Sequence, residues 1–326
     1  EIELRKEVFA NEFITSIYFG GGTPSLLNKE ELSMIFEKLY TSFKINEDAE
    51  ITLEANPDDL TFEKIQQLKN SPINRLSIGV QSFRDEDLKY MNRSHTGIEA
   101  LNSIKMAQDV GFQNITIDLI YGTPGMSNED WKSNLKKSFA LNLPHISSYA
   151  LTVEEKTPLY YKILKNKLPP VDEQQSADQF HILMTEMLRS GYEQYEISNF
   201  CKDNTYSKHN SSYWKKTHYL GLGPSAHSYF GNLRLCNISH NLKYIKYLSS
   251  LKLPLVKEYL NSKDMYNEYI MTSLRTKWGC SLIEIEHDYS ISFSHYFKAQ
   301  IKNYELTGYV FENKGVYTLS EKGKLI

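Results

Sequence analysis

The residues of this chain whose types and spacing suggest chemistry are Glu54, Gln81, Arg93 and Asp118, each at or shortly past the end of an apolar run. A carboxylate accepts hydrogen bonds from hydroxyls and amides, and an arginine presents a planar fork that matches another carboxylate. Upstream, Ile17-Tyr18-Phe19 leads directly into Gly20-Gly21-Gly22-Thr23-Pro24. Consecutive glycines cost backbone entropy and are kept where φ > 0 or a close backbone approach is needed. The loop is not a phosphate cradle, because no Lys-Ser/Thr pair follows the glycines and GxGxxG is not matched. Taken singly, each residue has an ordinary explanation as a helix cap, a turn or a surface ion pair. Their recurrence after successive apolar runs argues for one shared rim.

The elements that must position them follow a strand–helix rhythm. Strands are predicted at residues 16–19, 50–54, 75–80, 115–120 and 146–151, with helices at 29–43, 62–70, 97–110 and 128–141. Asn28 with Glu31, and Ser127 with Asp130, read as helix N-caps. Such βα repetition predicts an α/β fold with a parallel sheet, a barrel or part-barrel, whose chemistry sits at the strands' C-terminal ends. Residues 1–12 read as the end of a helix. Past Leu164 the rhythm breaks at Leu168-Pro169-Pro170, and a helix then runs to Arg189 with Gly191 closing it. The tail from about Val256 reads as helices at 263–276 and 293–305 and a hairpin around Asn313-Lys314-Gly315, a winged-helix-like arrangement.

Composition excludes several classes. The 326 residues carry a net charge of −3, which gives no electrostatic footprint for nucleic acid. No apolar run approaches the ~20 residues of a membrane-spanning helix. The 3 cysteines, Cys201, Cys236 and Cys280, imply no disulfide framework, and the cytoplasm is the expected compartment. His209, followed by Tyr213 and Trp214, and His227, in a glycine-rich stretch, are the candidate ligand histidines; a structural role suits His209 as well as ligation does, and suits His227 better.

Gly-Gly-Gly-Thr-Pro resembles the S-adenosylmethionine (SAM) amino-group motif of radical SAM enzymes. Tyr-Phe-Gly-Gly-Gly-Thr-Pro-Ser-Leu-Leu, YEISNF at 195–200, HNxxYW at 209–214 and LGLGPSAHS at 220–228 resemble the oxygen-independent coproporphyrinogen III oxidase family, in its haem-chaperone branch. The resemblance covers nearly the whole chain. It implies an incomplete parallel (β/α) barrel of the radical SAM type, lacking its first strand, over residues 1–168. An α/β extension is implied over 169–256 and a C-terminal helical, winged-helix-like module over 257–326. It places Gly20, Gly21, Gly22 and Thr23 at the SAM amino group and Glu54 at the ribose. Gln81, Arg93 and Asp118 would line SAM and a second-ligand pocket, and the backbone of Ala150 would meet the adenine. His209 is the implied haem residue and His227 a second candidate.

The family's [4Fe-4S] cluster is held by a CxxxCxxC loop, a spacing that this sequence lacks. That loop is expected upstream of Glu1, so the chain as it stands is expected to hold no cluster and to be inactive. Two activities are open for the full-length protein. One is haem capture and delivery to a cytochrome, with SAM and the cluster in support. The other is oxidative decarboxylation of coproporphyrinogen III propionates to vinyl groups. The wording of YEISNF and HNxxYW favours the chaperone. The implied partners are haem or a porphyrinogen, a haem-recipient cytochrome and a membrane-associated partner, with no nucleic acid.

Overall fold

A computed structural model describes residues 1–325. The chain divides into two compact units, one of residues 16–33 and 50–207, the other of residues 1–15, 34–49 and 208–326. In chain order, α1 (Ile2–Arg5) precedes β1 (Phe13–Phe19), α2 (Lys29–Ser42), β2 (Lys44–Ala55), α3 (Phe62–Lys69) and β3 (Arg75–Gln81). Then come α4 (Asp85–Tyr90), α5 (Gly97–Asp109), β4 (Asn114–Tyr121), α6 (Asn128–Ala140), β5 (His145–Ala150), α7 (Pro158–Leu164), α8 (Glu173–Arg189), β6 (Glu193–Glu196) and β7 (Asn199–Cys201).

Strands β1 to β7 form one seven-stranded sheet in the order β1-β2-β3-β4-β5-β7-β6. β2 to β5 pair in parallel, while β7 pairs antiparallel with both β5 and β6. The sheet has two open edges, β1 and β6, so the predicted part-barrel is what forms. The polar stretch 44–49, read as a connection in the sequence, extends β2 backwards. The YEISNF segment adds the antiparallel edge, which no local pattern announced.

Alternation along the strands explains the sheet's two faces. Ile51 and Leu53, Leu76, Ile78 and Val80, and Ile115, Ile117 and Leu119 are all buried. Glu50, Thr52 and Glu54, then Arg75 and Ser77, then Thr116 and Asp118, then His145 and Ser147 alternate with them on the opposite face. Near the strands' starts that polar face is closed by a buried network. Arg75 Nη2 donates to Thr116 Oγ1, which lies 3.0 Å from His145 Nδ1, and His145 Nε2 lies 2.7 Å from the Tyr195 hydroxyl. Burial first, and the Arg75 guanidinium second, hold the His145 imidazole well below its ordinary pKa, so it stays neutral.

The helix signals read from the sequence are realised. Asn28 and Glu31 exchange reciprocal bonds of 2.8 Å, and Ser127 with Asp130 completes a capping box on α6. α8 ends through Ser190 into Gly191, whose φ of 79° is that of a left-handed C′ residue. The helix expected over 1–12 is instead one α turn followed by a 3-10 turn at Lys6–Phe9. There the buried Arg5 guanidinium donates to Gly221 O and Ser228 Oγ, each at 3.2 Å.

The second unit adds α9 (Lys208–Trp214), β8 (His227–Phe230), β9 (Leu233–Asn237), α10 (Asn241–Ser249), β10 (Leu255–Tyr259) and α11 (Ser262–Leu274). β11 (Cys280–Ser281), α12 (Leu282–Asp288), α13 (Ile291–Leu306), β12 (Val310–Asn313) and β13 (Val316–Leu319) complete it. β8, β9 and β10 form an antiparallel sheet with β9 in the centre. The tail is helical with a three-stranded sheet, β11-β13-β12, around Tyr266, Tyr269, Cys280, Ile285, Phe297 and Tyr317. The predicted hairpin is present. β11 and α12, too short to show a period, are elements the sequence reading did not contain.

Candidate functional site

A cleft of ≈ 240 Å³ opens at the C-terminal ends of β2, β3 and β4. Its lining includes Gly22, Thr23, Glu54, Asn56, Gly79, Gln81, Arg93 and Asp118. Parallel strands end on the same rim, which is why residues spread from 22 to 118 in sequence meet here.

Glu54 anchors the glycine loop. Its carboxylate accepts from the Tyr18 hydroxyl at 2.7 Å and from the Gly21 amide at 3.2 Å. Gly21 has φ of 74°, and a Cβ on Gly20 would lie 2.6 Å from Tyr18 Cε1 and 2.9 Å from Glu54 Oε1. Gly20 and Gly21 therefore act by holding Glu54, while Gly22 and Thr23 face the cleft. Arg93 Nη2 donates to Asn56 Oδ1 at 2.7 Å and to Gly79 O at 3.3 Å, which fixes the guanidinium beside the strand ends. Gln81 closes β3 with φ of 65°, an uncommon conformation for a non-glycine residue, at a register shift against β4. Such strain concentrates where a side chain must be aimed at a site.

Asp118 lies 3.5 Å from the Ser77 hydroxyl, which donates to it. Desolvation, and secondly the Glu54 carboxylate, push its pKa up from 3.8 to about 6. Burial and the Glu54 carboxylate also raise the Tyr18 phenol, so that it stays a donor. The cleft thus offers carboxylate acceptors and an arginine, a donor set suited to a zwitterionic, hydroxyl-bearing ligand.

Ala150 is not part of the lining. It is exposed at the end of β5, paired in register with Tyr121. His209 and His227 belong to the other unit. His209 Nε2 lies 3.0 Å from the Tyr213 hydroxyl one helical turn on, with the two rings perpendicular and 5.1 Å apart. Tyr213 meets Tyr219 edge-on at 4.8 Å. α9 is fixed at its far end by the C-terminal elements. The Arg275 guanidinium sits 5.3 Å from the Trp214 ring, and Lys216 Nζ lies 4.1 Å from the Tyr269 ring and donates to the Tyr289 hydroxyl at 2.7 Å. His227 is exposed on β8.

Sequence reasoning did not single out Tyr18, Asn56 or Ser77 as site residues. Tyr18 was signalled by its place two residues before Gly20, and Asn56 by its place beside Glu54. Ser77 carries no motif and follows only from alternation along β3. The cysteines do not fit an iron–sulfur cluster. Cys201 and Cys280 are buried, and among the described residues no group of three or more His, Cys, Asp or Glu is placed to hold a metal ion. Among them too, no helix is long and apolar enough to cross a membrane.

Known proteins resemble this chain in sequence and in fold. The Radical SAM superfamily model matches residues 1–137. Heme chaperone HemW of Bacillus subtilis (strain 168) is 33% identical over 315 residues, covering 96% of this chain and 83% of that protein. Heme chaperone HemW of Lactococcus lactis subsp. lactis (strain IL1403) is also 33% identical over 315 residues, covering 97% and 83%. Among solved structures, coproporphyrinogen III oxidase (HemN) from Escherichia coli, a radical SAM enzyme, superposes with a TM-score of 0.85 at 25% identity. That match covers 99% of this chain and 78% of the other.

Proposed function

This chain belongs to the heme chaperone HemW family of radical SAM proteins, and on that premise we propose that the full-length protein captures haem and delivers it to a cytochrome, in the cytoplasm. The observation that carries the reading is the convergence of the glycine loop, Glu54, Gln81, Arg93 and Asp118 on one cleft, in a chain that matches haem chaperones over nearly its whole length.

SAM fits the cleft's donor set. Glu54 would accept from its ribose hydroxyls, Arg93 and Gln81 would meet its polar groups, and the backbone beside Gly22 and Thr23 would take its amino-acid end. Bound SAM would supply a sulfonium whose carbon–sulfur bond can be cleaved reductively. Cys201, Cys236 and Cys280 lack the CxxxCxxC spacing by which the family holds its [4Fe-4S] cluster. The work divides along the chain: residues 1–168 hold SAM, 169–256 carry the haem-binding motif, and 257–326 brace it through Arg275 and Lys216's aromatic neighbours.

Haem fits His209 in chemistry. The half-buried His209 imidazole, with a phenol one turn away, would supply the iron with a nitrogen ligand. The second reading, coproporphyrinogen III oxidation, is supported by the likeness to HemN. Haem titration followed by the Soret band, on the full-length protein and its His209→Ala variant, tests the first reading. A clear loss of haem affinity with unchanged SAM binding and melting temperature is expected. Unchanged affinity with a lowered melting temperature would reduce His209 to a structural residue. Conversion of coproporphyrinogen III to protoporphyrinogen would replace the chaperone reading with the oxidase.

A further inference from the structure

A histidine–cysteine pair lies outside both the cleft and the α9 motif. His227 on β8 and Cys236 on β9 are directly opposite each other in the antiparallel register. His227 Nε2 and Cys236 Sγ lie 3.5 Å apart. Their strand neighbours Ser228, Leu235 and Asn237 are buried at 1%, 8% and 2% exposure, so alternation turns His227 and Cys236 to the opposite, accessible face. The pair is held by regular strand pairing on both sides of β9, with Val256 of β10 in register with Cys236.

From this geometry we propose that His227 and Cys236 form a binding site for a single thiophilic divalent ion of the zinc class, with water in the remaining positions. A tetrahedral zinc ion bound by sulfur at about 2.3 Å and imidazole nitrogen at about 2.0–2.1 Å holds those two atoms about 3.5 Å apart. The free side chains already stand at that separation, so binding needs no rearrangement of either strand. Thiolate and imidazole together favour zinc-class ions over calcium or magnesium, which take oxygen ligands. Two protein ligands give a site that loads and unloads readily, unlike the closed four-ligand sites that hold a fold together. Cys236 Sγ also lies 3.4 Å from Asn237 O, a contact that metal binding replaces. Cys201 and Cys280 are buried and offer no competing thiol at the surface.

Cobalt(II) is the probe, titrated into the reduced full chain, because a thiolate ligand gives Co²⁺ a near-ultraviolet charge-transfer band. One equivalent should produce the band, and added Zn²⁺ should abolish it. Cys236→Ser should lose the band, and His227→Gln should lose it or weaken binding at least tenfold. Both residues reach the surface, so both variants should melt like the parent without metal. No band in the parent, or a full band in Cys236→Ser, overturns the proposal. So does a haem titration in which Cys236→Ser removes the parent's Soret shift, which would assign the thiol to haem iron instead.

Discussion

Asp118→Asn should stabilise the protein above pH 7 and leave it unchanged near pH 4. Desolvation at the cleft floor, reinforced by the Glu54 carboxylate, raises the Asp118 pKa from 3.8 to about 6, against the opposing pull of Arg75 and the Ser147 and Ser77 hydroxyls. Below pH 3.8 the carboxyl is protonated in both the folded and the unfolded chain, and it imposes no penalty. Between 3.8 and about 6 the unfolded chain has lost the proton while the folded chain keeps it, so the folded state binds more protons and stability falls as pH rises. The gap, at about 1.4 kcal/mol per pH unit, sets a ceiling of about 3 kcal/mol, reached above pH 7. Because the side chain borders an open cleft, about 2 kcal/mol is the expected gain for the neutral amide. Urea melts of both proteins at pH 4 and pH 8, followed by far-ultraviolet circular dichroism, measure it. A difference that is flat with pH, or an Asp118→Asn protein less stable at pH 8, would refute the electrostatic reasoning. Weaker SAM binding by the same variant would show that the carboxylate is retained for its ligand at a cost in stability.

Glu54→Gln should weaken SAM binding by the full-length protein about tenfold to a hundredfold, the worth of about 1.5–3 kcal/mol for hydrogen bonds to a charged group, as read by equilibrium dialysis. An unchanged dissociation constant would remove Glu54 from the ligand's contacts. Gly97→Ala should cost about 1–3 kcal/mol in thermal or urea melts, because its Cβ would sit 2.3 Å from the backbone oxygen of Phe83, which cannot swing aside.

What the sequence determined by itself was whatever depends on neighbours along the chain. The apolar periods of 75–80 and 115–120 set strands whose apolar side chains are buried. The same alternation dictated that Glu54, Ser77 and Asp118 take the other face, and the parallel repeat dictated that strand ends share a rim. Caps at Asn28 and Ser127 and the Gly191 stop were legible because capping is a matter of three or four residues.

The tertiary structure decided what depends on partners far away in sequence. Residues 44–49 became strand, and YEISNF became an antiparallel edge, because unpaired backbone groups found β-partners that no local pattern names. The predicted helix over 1–12 was cut short where Arg5 reaches Gly221 and Ser228, more than two hundred residues on. His145 and Tyr195 became a buried pair, and His227 found Cys236 rather than His209, because strand register sets which side chains stand opposite one another. Propensity acts over a turn or a strand; pairing acts across the fold, and in this protein the pairing places the chemistry.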